Sequence, residues 1–320
     1  MSETQSANKA TEQSYRVVDE TKPKKPGFLD QHYFLVRRLH SLTGIVPIGV
    51  FLMVHLVTNS SLAWGLFGLR GEGDGLSLSE GGVKYFQKEV TWINTQVPHL
   101  LLIEITLWVA IGFHSILGFY YATTGKRNTE RYAYQDNWRY TLQRWSGYIG
   151  VLFIFYHVAT LRWGWSFLIP DGTAWSHSFS ASTLAAALQG STEGWTAMGV
   201  AVSLLYFVGI TLLVFHFANG LWTSAITWGL TISEEAQKRW GYACGGLGAA
   251  LMLAGWASLG GALLIDYDEA HQIEKKLYVE KHGEEAYEEY IEKKGISPTG
   301  DGTEATVAGE TPTSSESPEG

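Results

Sequence analysis

Five apolar stretches, near residues 41–63, 99–123, 144–168, 198–227 and 240–265, constrain this chain more than any other feature. Each is long enough, at about 20 residues, to cross a hydrocarbon core as a helix. The predicted class is therefore an all-α integral membrane protein with five transmembrane helices. Only 17% of the residues are charged, and the formal net charge is -8. The acidic excess gathers toward the C-terminus, where Glu284, Glu285, Glu288, Glu289 and Glu292 cluster, so it describes a solvated tail rather than the body. Three regions are expected: a polar extension over 1–30, a membrane domain over 31–265, and a tail over 266–320 that starts charged and helical and ends disordered in Gly, Pro, Ser, Thr and Glu.

Lysine and arginine in short loops fix the expected orientation, because translocating them is costly. The N-terminal flank carries Lys22, Lys24, Lys25, Arg37 and Arg38, the second loop Lys126, Arg127, Arg131, Arg139 and Arg144, and the fourth Lys238 and Arg239. The first loop has only Arg70, Lys84 and Lys88, and the third has none beyond Arg162. The N-terminus is thus expected inside and, with an odd number of spans, the C-terminus outside. The polar N-terminus lacks the apolar core of a signal peptide. The single cysteine, Cys244, excludes a disulfide, a thiolate zinc set and covalent haem attachment through C-x-x-C-H.

Four of the ten histidines lie deep in apolar spans, one in each of the first four: His55, His114, His157 and His216. An ionisable side chain at that depth costs free energy unless it is paired or coordinated. One such histidine has an ordinary explanation, a neutral ring hydrogen-bonded across helices. The set of four is more specific, because topology converts position into depth at about 1.5 Å per residue. His55 and His157 come late in helices that start inside, so both lie toward the outer face. His114 and His216 come late in helices that start outside, so both lie toward the inner face. Each layer has two imidazoles, the axial set of a low-spin haem iron whose porphyrin supplies four further ligands. Zinc fits less well, since each layer offers two nitrogens and no thiolate or carboxylate to complete four. Gly112, Gly118, Ala218 and Gly220 could let a flat macrocycle approach, although small residues also serve ordinary helix packing in membranes.

Six segments then carry a resemblance: Phe34-Leu-Val-Arg-Arg-Leu-His-Ser-Leu-Thr-Gly44, Val54-His55-Leu, Phe113-His114-Ser-Ile-Leu-Gly118, Leu142-Gln-Arg-Trp-Ser-Gly147, Tyr156-His157-Val and Phe215-His216-Phe-Ala-Asn-Gly-Leu-Trp222. From about Tyr33 to about Gly261 the chain resembles the cytochrome b subunit of the succinate dehydrogenase and fumarate reductase family, in its single-anchor, two-haem b558 form. The resemblance implies two non-covalent b haems in a bundle of the first four helices, His55 with His157 on the distal one and His114 with His216 on the proximal one. It implies a bacterial cytoplasmic membrane, and separate flavoprotein and iron-sulfur subunits on the cytoplasmic face. Dicarboxylate chemistry belongs to those subunits, since this chain has no dinucleotide fingerprint and no cysteine cluster. Electrons would pass from succinate through the proximal and distal haems to a quinone, menaquinone in this two-haem type. Quinol:fumarate reduction uses the same scaffold in reverse. No nucleic-acid partner is expected.

Arg37, Arg38, His40 and Ser41 sit at the inner mouth of the first span, within expected reach of haem propionates, although positive-inside anchoring alone accounts for the arginines. Arg144 could pair with a propionate bidentately. Glu104, near the outer layer, could relay protons for quinone reduction, although an interface carboxylate wetted from outside is the simpler explanation; Glu89 and His99 are weaker candidates. The tryptophans Trp92, Trp108, Trp163, Trp165, Trp222 and Trp228 lie toward helix ends, as aromatic belts do. From another functional class, a haem-free anchor or a transporter remains open. A transporter calls for internal repeats and broken helices, and no repeat is evident.

Overall fold

The structure, a computed structural model, describes residues 27–66, 78–124 and 137–294. Lys22, Lys24, Lys25, Arg70, Lys126, Arg127, Arg131 and the Gly/Pro/Ser/Thr/Glu end of the tail lie outside the described residues. Two compact units result, divided between Leu39 and His40. In the first, Arg37 donates to the Tyr33 hydroxyl at 2.6 Å and Arg38 is exposed.

Every regular element among the described residues is helical. α1 (Tyr33–Thr43) runs into a π-helical turn, Gly44–Gly49, and on into α2 (Val50–Asn59). Pro47 sits inside that turn. Proline has no N–H to donate and its ring crowds the preceding turn, and widening to π geometry accommodates it without ending the helix. α3 (Ser61–Leu66) and α4 (Leu78–Gln96) flank the first connection. α5 (Leu100–Thr124) and α6 (Asn137–Leu161) follow, each of 25 residues, then α7 (Ser180–Gln189). α8 (Ala197–Thr227) and α9 (Glu234–Leu264) have 31 residues each. Their N-caps are Thr196 and Ser233, whose side chains accept from Gly199 N–H and Ala236 N–H and satisfy donors that the first turn leaves orphaned. α10 (Tyr267–His282), capped by Asp266, and α11 (Glu284–Lys294) close the described chain.

Among the described residues, four helices are long and apolar enough to cross a membrane: Tyr33–Gly65, Leu100–Thr124, Ala197–Thr227 and Glu234–Leu264. Large apolar side chains on them and on α6 point outward, Ile116 at 72% and Leu152 at 71% exposure among them. Such continuous apolar surface suits lipid rather than water. α6 is as long as α5 but less apolar, because Arg139, Gln143 and Arg144 occupy its first turns.

The ends of the bundle differ. At the N side, where the first helix enters, Trp228 donates to Ser41 Oγ at 2.8 Å. At the opposite end, here the cap side, α4, α7 and α10 share one buried apolar cluster with the helix ends, including Leu62, Val83, Phe86, Phe153, Leu184, Tyr206, Leu259 and Ile273. Residues 267–294 are thus only partly solvated. The glutamates expected to be solvated, Glu284, Glu285, Glu288, Glu289 and Glu292, are indeed exposed, while Tyr287 and Ile291 between them are buried against Phe179.

Candidate functional site

His55 on α2 lies beside His157 on α6, with ring centroids 5.7 Å apart and planes at 81°. His114 on α5 lies beside His216 on α8, at 6.1 Å and 82°. Metal–imidazole bonds are about 2.0 Å long and the ring centre sits roughly 1 Å behind the nitrogen, so two imidazoles facing one metal ion have centroids about 6 Å apart. Both pairs meet that requirement. Among the described residues no third histidine, cysteine or acid joins either pair to make a cluster of three. Two nitrogens suit a group that brings its own equatorial ligands, such as haem, better than they suit a bare cation.

Each ring is oriented through Nδ1. His114 Nδ1 is 2.9 Å from the His40 carbonyl, and His216 Nδ1 is 3.1 Å from the Gln143 carbonyl and 3.1 Å from Ser146 Oγ. His157 Nδ1 faces the Tyr206 hydroxyl at 3.3 Å, and His55 Nδ1 faces the Asn59 amide at 3.3 Å. Among the described residues no hydrogen bond engages Nε2 of these four. A ring whose Nδ1–H is held by an acceptor while Nε2 is left for a ligand is the usual arrangement of metal-binding histidine; His114, His157 and His216 fit it, whereas His55 Nδ1 faces an amide N–H that also donates to the His55 carbonyl at 2.7 Å.

The pairs are separated along the bundle. Tyr206, which contacts His157, and His216 stand ten residues apart on α8, about 15 Å at 1.5 Å per residue.

A polar network ties α6 to α8 beneath the N-side pair. Gln143 Nε2 donates to the His216 carbonyl at 3.2 Å, Asn219 Nδ2 donates to Gln143 Oε1 at 2.8 Å, and Arg139 Nε donates to Asn219 Oδ1 at 3.0 Å. The Arg139 guanidinium also lies over the Trp222 ring, 4.1 Å from its centroid. Asn219 and Trp222 of the His216 segment therefore serve to register one helix against another. In the sequence Arg139 reads as a loop charge, and nothing in its spacing marks Gln143.

Other expected residues are placed as follows. The His40 ring stacks on His114 at 4.0 Å and 10°, so it packs beside that ligand candidate rather than opposite it. Arg144 lies over the Tyr140 ring, its carbon 4.5 Å from the centroid. Both oxygens of Glu104 are taken by Arg162, Nε at 3.1 Å and Nη2 at 2.8 Å. His99 is exposed with a φ of 58° and starts α5, its carbonyl accepting from Leu102 N–H and Ile103 N–H. Glu89 is half-buried on α4.

Two further glycines stand directly against the rings. A Cβ at Gly44 would come within 2.6 Å of His114 Cε1, and one at Gly147 within 3.2 Å of His216 Cε1. Gly118 instead faces His40, and Gly112 has nothing within 4 Å. Gly44 and Gly147 close two of the quoted segments, which was the available signal.

The chain is 30% identical over 206 residues to the succinate dehydrogenase cytochrome b558 subunit of Bacillus subtilis (strain 168), covering 64% of this chain and 85% of that one. It belongs to that family. The family places it in a membrane complex as the cytochrome subunit of an oxidoreductase. No protein-family model matches the chain, and no solved structure does either. A cytochrome b name implies haem b, and among the described residues the two imidazole pairs are donor sets whose chemistry would fit it.

Proposed function

We propose that this chain is the membrane anchor and dihaem cytochrome b subunit of a succinate:quinone oxidoreductase in a bacterial cytoplasmic membrane. Haem b, when bound, supplies one-electron transfer between an iron-sulfur partner and a quinone, menaquinone being the expected one. His114 and His216 hold the proximal group and His55 and His157 the distal one. The observation that carries this reading is the double pairing itself: two imidazole pairs at metal-bridging spacing, with His114, His157 and His216 each held through Nδ1.

α6 completes a set of five spans. Its start meets α8 at His216 and Asn219, and its end meets the first turns of α5 through Arg162 and Glu104. It therefore runs alongside both neighbours, and Arg139 and Arg144 sit at the level where positive charge is retained inside. The N side is cytoplasmic, and flavoprotein and iron-sulfur subunits dock there. His40 and Arg144 belong to that side, where propionates would be met, and Arg38 is a further candidate propionate contact. Quinone is handled at the outer side, where Glu104 is the candidate proton carrier. Succinate oxidation and quinol-driven fumarate reduction would use the same residues.

The test is haem per polypeptide, by pyridine haemochrome, in the assembled complex and in His55→Ala, His114→Ala, His157→Ala and His216→Ala. Two haems in the wild type are expected. His55→Ala and His157→Ala should remove one spectral species, and His114→Ala and His216→Ala the other. A folded complex without haem would leave a haem-free anchor.

A further inference from the structure

α7 is buried along its whole length, from Ser180 to Gln189, in a connection that looks like a loop by composition. Such a helix must find partners for its orphaned end groups within the protein. Its C-terminal end is satisfied from the bundle: Ser203 Oγ donates to the Leu188 carbonyl at 2.8 Å, and Thr196 N–H donates to the Gln189 carbonyl at 2.9 Å. The Gln189 side chain donates to the Ile265 carbonyl at 2.8 Å and the Leu263 carbonyl at 3.3 Å. Its N-terminal end is satisfied by two side chains from elsewhere. Gln87 Oε1 on α4 accepts from Ser180 N–H at 3.0 Å and from Ser180 Oγ at 2.7 Å. The carboxylate of Glu274 on α10, fully buried, accepts from Ala181 N–H at 2.6 Å, Ser182 N–H at 3.2 Å and Ser182 Oγ at 2.6 Å.

The helix held in this way is the backing of the cap-side histidine pair. Leu184, Ala185 and Leu188 share a buried cluster with Phe153 and Tyr206. Phe153 stacks near His157 at 5.9 Å and 27°, Tyr206 meets Phe153 edge-on at 5.2 Å, and the Tyr206 hydroxyl faces His157 Nδ1 at 3.3 Å. A continuous set of packed side chains thus joins α10 to the ring of His157. Among the described residues the N-side pair is oriented differently, His114 by the His40 carbonyl and His216 by the Gln143 carbonyl and the Ser146 hydroxyl.

We propose that Glu274 is a positioning residue for the cap-side site: by seating the N-terminus of α7 it holds that helix behind Tyr206 and Phe153 and thereby fixes the ring of His157. The C-terminal segment 267–294 is on this reading a working part of the cytochrome. Its effect is confined to one of two haem sites, so the inference rests on the dihaem reading, and the second site is its internal control.

The experiment uses the full-length chain in its assembled complex, comparing wild type with Glu274→Ala, Glu274→Gln and the milder Ser182→Ala. Ferric low-spin EPR signals and optical redox titration are recorded, with the cap-side signal assigned as the one missing in His157→Ala and the N-side signal as the one missing in His216→Ala. Amide exchange over residues 180–189 is followed in parallel. Loss of the Glu274 hydrogen bonds to a buried helix end should speed that exchange by about tenfold or more in Glu274→Ala. The cap-side signal and midpoint should shift while the N-side ones stay at wild type. Glu274→Gln, which keeps the shape and one acceptor, should fall between, and Ser182→Ala should show a smaller selective shift, which carries the test if Glu274→Ala does not assemble. An unmoved cap-side signal overturns the inference whether or not exchange rises, and so does an equal change at both sites. A wild-type complex with no haem would instead overturn the dihaem reading.

Discussion

Gly44 and Gly147 stand against the two histidine rings of the N-side pair, and the tightness of each contact sets how a methyl group would be felt. The 2.6 Å approach at Gly44 leaves no room, so Gly44→Ala must move the ring of His114. The 3.2 Å approach at Gly147 asks for a displacement of a few tenths of an ångström. We expect Gly44→Ala to lose most of the N-side haem while the cap-side one is kept, and Gly147→Ala to keep both with an altered N-side signal; haemochrome content and EPR distinguish the two. The Glu104–Arg162 pair illustrates the opposite case. Its side chains are 25% and 61% exposed, and such wetted pairs are worth about 0–1 kcal/mol. Glu104→Gln should therefore change the thermal midpoint little, and a fall in quinone reduction without a fall in stability would assign Glu104 a proton-handling role. The four histidines were legible in the sequence because an ionisable group deep in a span is costly by itself. The glycines and Gln143 were not, because their partners lie on other helices and spacing along one helix does not reveal them.

At the level of elements, the long spans were the legible part. A run of apolar residues specifies a membrane helix by composition alone, and the expected ends at 123, 227 and 265 fall within a residue of those observed at 124, 227 and 264. The second-loop end was harder. α6 starts at Asn137 rather than near 144, because polar first turns can continue a helix where they bind a neighbour, as Arg139 and Gln143 do. The π turn around Pro47 and the buried α7 were not anticipated either. α7 reads as a loop since it is enclosed on all sides and so shows no amphipathic stripe for periodicity to find. It ends at Gly190, whose φ of 94° lies in the left-handed region that a Cβ disfavours by about 1–2 kcal/mol. A Cβ there would also collide with the Thr196 hydroxyl. Gly190→Ala should destabilise the complex by at least that strain, which a lowered thermal midpoint would register, whereas Gly172→Ala, with a φ of 76° and nothing within 4 Å, should cost only the strain.

For the molecule as a whole, the acidic segment 267–294 joins the bundle instead of trailing from it, and this gives the cap side its own response to pH. The sequence signal for solvation was the charge density; the residues that dock it, Tyr267, Ala270, His271, Ile273 and Glu274, are spaced three and four apart among those charges. Burial pushes the Glu274 carboxyl up to about 7, outweighing the bonds from Ser182 and Ala181 that favour its charged form. Burial brings His271 down to about 4, with Asp268 opposing and Lys275 adding to the shift. The two effects have opposite signs. Glu274 contributes stability that is complete below about 4.5 and is lost as pH rises through about 7, since the folded state binds its proton more tightly. His271 contributes stability that is complete above about 6.5 and is lost as pH falls through about 4. Between about pH 4.5 and 6.5 each changes stability by about 1.4 kcal/mol per pH unit at most, in opposite directions. Hydrogen exchange over 267–294 should therefore be nearly flat with pH in the wild type after correction for intrinsic rates. Glu274→Gln should unmask the histidine, so that protection rises with pH across that window, and His271→Phe should unmask the glutamate, so that protection falls. Parallel, unchanged pH profiles in all three proteins would show that neither group titrates against the docking of this segment.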